Sequence, residues 1–260
     1  MKTRITQGVT SNDPKSKRWR SLFASGRLAY GEGKLREAES LLTRALLLAA
    51  DLPEAEFARS TTEIGLAAVV LAEKREVEAI KLLRKCIGEL DGRSDYLHKE
   101  LRAVALRFLG KALIDQGKES DGEVELKKSL EILKQLGPEA ELQKAYTRCD
   151  LGGLYLVLGR HGEAGNYIID GLKILSETVG TESAQYVRAD MIYQACMPMS
   201  EATQIEIVGD AIDRMRYAYG HDHPSIERAV AKYLTVLNER GDTAKIEETK
   251  ERFNVKARTK

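Results

Sequence analysis

The chain has 260 residues, with 41 Lys and Arg against 40 Asp and Glu, for a formal net charge of +1. So even a balance excludes nucleic-acid binding driven by bulk charge. Hydrophobic residues make up 43% and charged residues 31%, a mixture that excludes global disorder and suits an ordered core. The longest apolar stretch, Ile64 to Ala72, is nine residues and includes Gly65, whereas a membrane-spanning helix needs about 20.

Few prolines and aromatics, against abundant Ala, Leu, Glu, Lys and Arg, favour helices over strands. In chain order, the opening MKTRITQGVTSNDPK has no apolar run after its basic residues and does not read as a secretory signal. Residues 1–16 are expected to form a flexible basic segment. Six helix pairs follow over 17–254. First helices are expected near 17–31, 57–73, 99–116, 141–158, 182–197 and 224–240. Second helices are expected near 34–50, 76–90, 119–136, 161–178, 201–219 and 243–254. The spacing of apolar residues carries this reading. Ala38, Leu41, Leu42, Ala45 and Leu48 mark one helical face, and Leu151, Leu154, Tyr155 and Leu158 another. Residues 255–260 form a basic tail.

Punctuation residues set the period. Gly33, Gly117, Gly159 and Gly241 each follow an apolar run, and their separations are 84, 42 and 82 residues. Pro53, Pro138 and Pro224 are 85 and 86 residues apart. A unit of about 42 residues satisfies both sets, with the glycine ending the first helix of each pair. The strings GKLREAESLL, GKESDGEVEL and GRHGEAGNYI agree, and KREVEAIKLL at 74–83 keeps the pattern without the glycine. The fifth copy is the most degenerate, with Met197-Pro198-Met199 at its turn.

These strings resemble the tetratricopeptide repeat, whose pattern is W-x2-L-G-x2-Y, then A-x3-F, then P. The fourth copy gives Leu151-Gly152-x2-Tyr155 and Ala164-x3-Ile168, and the third gives Leu109-Gly110-x2-Leu113. The second gives Leu66-Ala67-x2-Val70 with Ala79-x3-Leu83. The long unit and the linker Gly220-His221-Asp222-His223-Pro224 are similar to the variant in kinesin light chains and many bacterial proteins. HEAT and armadillo repeats share the period, but the Glu37-Ala38, Glu78-Ala79 and Glu163-Ala164 strings favour the tetratricopeptide pattern. The resemblance implies an all-α, right-handed superhelical solenoid of about six repeats, with first helices lining a concave groove.

That groove is where the resemblance places binding of a peptide or partner protein. Its candidate residues here are Arg27, Arg107, Lys111, Tyr146, Asp150, Tyr186 and Tyr193, with Thr61, Ile64, Ala68 and Leu71 at the equivalent positions of the second copy. Some members clamp a carboxylate with lysine, arginine and asparagine from successive helices. No window here supplies the asparagines, so a chaperone-tail clamp is not expected. The cations and tyrosines instead fit an acidic or mixed peptide.

Other features point away from chemistry. Cys86, Cys149 and Cys196 form no C-x-x-C pair and read as small buried hydrophobes in a reduced, cytoplasmic chain. His221-Asp222-His223 is too small a ligand set for a metal, so neither a metal nor a cofactor is expected. No nucleophile elbow, phosphate loop or dinucleotide fingerprint occurs, so the expected role is a non-enzymatic scaffold. The alternative is a peptide-sensing regulator whose curvature changes on binding. Neither membrane insertion nor nucleic-acid binding is expected. Self-association, where present, is expected through the N-terminal end or the fifth repeat.

Overall fold

The computed structural model describes residues 8–197, 201–219 and 223–253. Among them are twelve α-helices and no strand. They are α1 (Pro14–Gly31), α2 (Leu35–Ala49), α3 (Ala55–Ala72), α4 (Glu76–Glu89), α5 (Tyr96–Asp115) and α6 (Glu119–Gln135). There follow α7 (Glu141–Val157), α8 (His161–Thr178), α9 (Ala184–Cys196), α10 (Glu201–Tyr219), α11 (Pro224–Glu239) and α12 (Thr243–Arg252). Each odd-numbered helix pairs with the next to make a hairpin, and hairpins touch their chain neighbours in order. The result is the expected all-α repeat solenoid.

One turn geometry recurs. Gly33, Gly117, Gly159 and Gly241 all have positive φ, between 69° and 75°. The amide of the next residue donates to a carbonyl five positions back: Lys34 to Ala29 (2.9 Å), Lys118 to Leu113 (2.9 Å), Arg160 to Tyr155 (2.8 Å) and Asp242 to Leu237 (3.1 Å). This left-handed cap satisfies carbonyls the helix end would leave open. The second hairpin makes the same bond, Arg75 to Val70 at 3.1 Å, with Lys74 in the left-handed position at φ 65°. Its string lacks the glycine, yet the backbone closes the same turn. Pro198 and Met199 of the fifth turn lie outside the described residues.

Small residues let the helices within a hairpin approach. Gly110 on α5 faces Gly122 on α6: a Cβ on Gly110 would sit 2.9 Å from the Gly122 carbonyl oxygen, and one on Gly122 2.7 Å from that of Gly110. No rotamer relieves a clash with backbone, so the A-x3-F position of this copy must be glycine. Around these contacts a continuous core runs from Trp19 and Phe23 through Leu42, Leu83 and Leu113. A separate cluster, Val187, Ile212, Met215, Val230 and Leu237, holds the last hairpins.

The N-terminal segment departs from expectation. Asp13 caps α1 by accepting from the amides of Lys15 and Ser16, so the helix starts at Pro14. Residues 8–16, read from the sequence as part of a flexible end, are held in place. Val9 is buried, Arg20 donates to the carbonyls of Val9 and Ser11 (2.8 Å each), and Glu54 accepts from the amides of Thr10 and Ser11. The signal lay in polar residues with no periodicity of their own. Trp19 is fully buried, stacks on Phe23 with centroids 5.2 Å apart, and donates to Thr62 Oγ1 at 3.1 Å.

The left-handed Lys74 carries strain that a glycine would not, of order 1 kcal/mol. Lys74→Gly should raise stability in urea unfolding by about 0.5–1 kcal/mol, the greater freedom of glycine in the unfolded chain taking back part of the relief. Lys74→Ala keeps the Cβ and should change little. Equal gains from both would place the effect elsewhere.

Candidate functional site

The odd-numbered helices α1, α3, α5, α7 and α9 pack side by side in a row. At about 8–10 Å per packed pair, a flat row would put α1 and α7 about 25–30 Å apart. Yet Arg27 on α1 and Tyr146 on α7 are electrostatically coupled. The row therefore curves, and these side chains lie on its inside.

At the middle of the inner face sits Asp150 on α7, with its side chain 4% exposed. Arg107 Nη1 donates to Oδ2 at 2.9 Å and Lys111 Nζ to Oδ1 at 3.2 Å, both from α5. Arg188 Nη2, from α9, donates to Oδ1 as well. Three cations from the two flanking helices thus converge on one carboxylate. Tyr146, one turn before Asp150, lies half-buried beneath Arg107, whose guanidinium carbon is 5.5 Å from the tyrosine centroid and 4.6 Å from that of Phe108. Such stacking holds a guanidinium flat while leaving its edge able to donate.

The titration behaviour follows from this imbalance. Burial opposes the Asp150 charge, but Lys111, Arg188 and Arg107 outweigh it and hold the carboxyl well below its usual range. Lys111 goes the other way for its type. Burial and then the Arg188 charge push its ammonium down to about 8, with Asp150 only partly opposing them. Burial raises the Tyr146 phenol, while Arg107 and Arg27 pull it back. Desolvation lowers Arg27 too: its surface is exposed, but it faces an interior crowded by protein. Among the described residues, three cations of this patch share one carboxylate.

Of the residues predicted from sequence, Arg27, Arg107, Lys111, Tyr146 and Asp150 come together here. Tyr186 instead packs against the small apolar cluster of Ala145, Cys149, Leu175 and Ala189, which Tyr146 also flanks. Tyr193 is half-buried two turns further along α9. In the second unit Thr61, Ile64, Ala68 and Leu71 are buried, so these positions pack between helices rather than line an open groove. Arg188 was missed because the groove register on α9 was set by Tyr186 and Tyr193, a phase that falls on Ala189 and Asp190 between them. Ala189 is in fact buried, and Asp190 pairs with Arg214 of α10 at 2.8 Å. The usable signal was charge at the repeat interval: Asp150 lies 43 and 39 residues from Arg107 and Lys111, and 38 from Arg188. His221 and Asp222 of the linker lie outside the described residues.

No protein-family model matches the sequence, and no curated protein matches it. Solved structures do. A Rap protein complexed with Competence and Sporulation Factor superposes with a TM-score of 0.69 at 14% identity. The match covers 94% of this chain and 64% of that one, so this chain spans less than two thirds of that protein. The apo form of RapI gives 0.67 at 12% identity, covering 95% of this chain and 85% of that one. A putative kinesin light chain with TPR-like repeats from Podosopora anserina gives 0.53 at 17% identity, covering 77% and 95%. The fold is a tetratricopeptide-like solenoid of the long-unit, kinesin-light-chain kind. No helix among the described residues is long and apolar enough to cross a membrane.

Asp150→Asn leaves three clustered cations without their shared counter-charge. Because those cations keep partial solvent exposure, the expected loss is about 2–3 kcal/mol, below that of breaking a fully buried pair. Urea unfolding at pH 7 measures it, and the loss should shrink in 1 M salt. Unchanged stability would show that water, not Asp150, balances the cations.

Proposed function

We propose that this chain is a non-enzymatic scaffold that holds an extended peptide, or an extended segment of a partner protein, along the inner face of its first helices. The observation that carries this reading is the Arg107–Lys111–Arg188 cluster around Asp150. One carboxylate offsets part of its charge, and a bound anionic group would offset the rest. Because the patch is concave and partly desolvated, each contact there counts for more than on an open surface. A solenoid of similar fold is complexed with a factor in the Rap structure, which supports the reading by analogy.

A scaffold role also suits the cysteines. Burial pushes the Cys86 and Cys149 thiols up to about 12, so neither offers a thiolate nucleophile near neutral pH. Three free thiols fit a reducing, cytoplasmic setting. The regulatory alternative, in which curvature changes on binding, draws on the last hairpin, which among the described residues packs less closely on its neighbour than the earlier ones do. Small-angle scattering with and without partner separates the two: a scaffold keeps its radius of gyration and a sensor changes it.

The direct test is affinity capture from the native cell with the full chain, followed by titration of the captured partner. Arg27→Glu with Lys111→Gln should weaken that partner at least about tenfold while circular dichroism is unchanged, as expected for loss of a charged contact. Equal affinity for both proteins would remove the inner face as the binding surface.

A further inference from the structure

The three cations around Asp150 are not equivalent. A carboxylate has two oxygens, and guanidinium groups already claim both: Arg107 donates to Oδ2 at 2.9 Å and Arg188 to Oδ1. Lys111 is the extra donor, sharing Oδ1 with Arg188 at 3.2 Å. Of the three it alone can give up its proton, since a guanidinium stays charged at any pH a folded protein survives. Its side chain is 25% exposed, so a small reagent can reach it. Arg188 is 44% exposed and, among the described residues, donates to Asp150 through Nη2 alone, which leaves the rest of its fork to meet an anion.

We propose that Lys111 is an acylation site whose donor is an acyl phosphate. The donor's phosphate docks on Arg188, with the Arg107 charge behind it. Because Arg188 and Lys111 share one oxygen of Asp150, a phosphate on the first brings the acyl carbon to the second. The neutral amine attacks that carbon. A C–N bond forms, the C–O bond to phosphate breaks, phosphate leaves with the electron pair, and the proton shed by nitrogen passes to it or to water. The product amide keeps an N–H to donate to Asp150, while the cluster falls from three cations on one carboxylate to two. The inference rests on the cluster alone and does not require a peptide in the groove.

The charged and titratable groups around the Lys111 ammonium are Arg107 on its own helix, Asp150 and Tyr146 on α7 and Arg188 on α9. Arg27 of α1 and Tyr219 of α10 are coupled to these. Burial and the Arg188 charge supply the neutral amine. With the ammonium at about 8, about a quarter is deprotonated at about pH 7.5, against about a tenth of one percent for an ordinary lysine. Lower basicity makes each neutral amine less reactive, and the Brønsted dependence usual for nucleophiles leaves a net gain of about tenfold.

The test incubates the full chain with acetyl phosphate between about pH 6.5 and 10 and follows each lysine by mass spectrometry. At about pH 7.5 Lys111 should be acetylated about tenfold faster than the exposed Lys81 and Lys118, and its rate should level above about pH 8 while theirs still climb. Arg188→Gln removes the docking group and a like charge together, so Lys111 should slow and its midpoint should rise. Asp150→Asn removes the opposing charge, so the midpoint should fall. With the uncharged N-hydroxysuccinimide ester of acetate, Lys111 should still outpace the exposed lysines, but by a smaller margin. The unaltered chain decides the matter should either variant fold poorly. A Lys111 no faster than the exposed lysines, or one still accelerating at about pH 10, would overturn the site. Equal margins with ester and phosphate would overturn the anionic donor.

Discussion

A hairpin of two helices cannot bury the apolar stripe on both of its members, and only another hairpin laid alongside can cover what is left. Everything else in this molecule follows from that shortfall. It forces the units to stack in chain order and makes the core a continuous ribbon from Trp19 to Leu113 rather than a ball. It also requires each unit to present nearly the same shape to the next. The repeated left-handed cap meets this requirement by fixing the angle between the two helices of a unit. Close backbone contact at Gly110 and Gly122 then fixes their separation.

Stacking also decides the electrostatics. A side chain in the middle of a first helix has a neighbouring first helix on either side, so charges one unit apart in sequence meet in space. Asp150 gains three partners in this way, none of them on its own helix. Attraction to it competes with repulsion among the cations and with the cost of drying all four groups. For Asp150 attraction wins. For Lys111 desolvation and like charge win, which is why, of two groups in contact, one is held in its charged form and the other is pushed toward its neutral form. An arrangement optimised only for stability would have matched the charges, and the proposed binding of an anionic group is what would account for three cations around one carboxylate.

The architecture was legible because its signals repeat. Four glycines marked the turns, and even the copy without one kept its flanking string, with Lys74 adopting the backbone that glycine adopts elsewhere. Individual contacts repeat less faithfully, and there legibility ended. A one-residue error of register on α9 exchanged Arg188 for Ala189, because a helix turns 100° per residue and that is enough to move a side chain from the groove into the core. The second unit shows the same limit, with positions at the right phase buried by neighbouring helices instead of facing the groove. The anchored residues 8–13 had no pattern to find, since they are held by Arg20 and Glu54 rather than by a helical face.

The apolar core is divided. The cluster of Val187, Ile212, Met215, Val230 and Leu237 is separate from the ribbon that runs from Trp19 to Leu113. In a linear array each unit's permanence depends on the interfaces beside it. Two blocks of core with different neighbours need not open together, and amide exchange would then sort the chain into separate cooperative units rather than one.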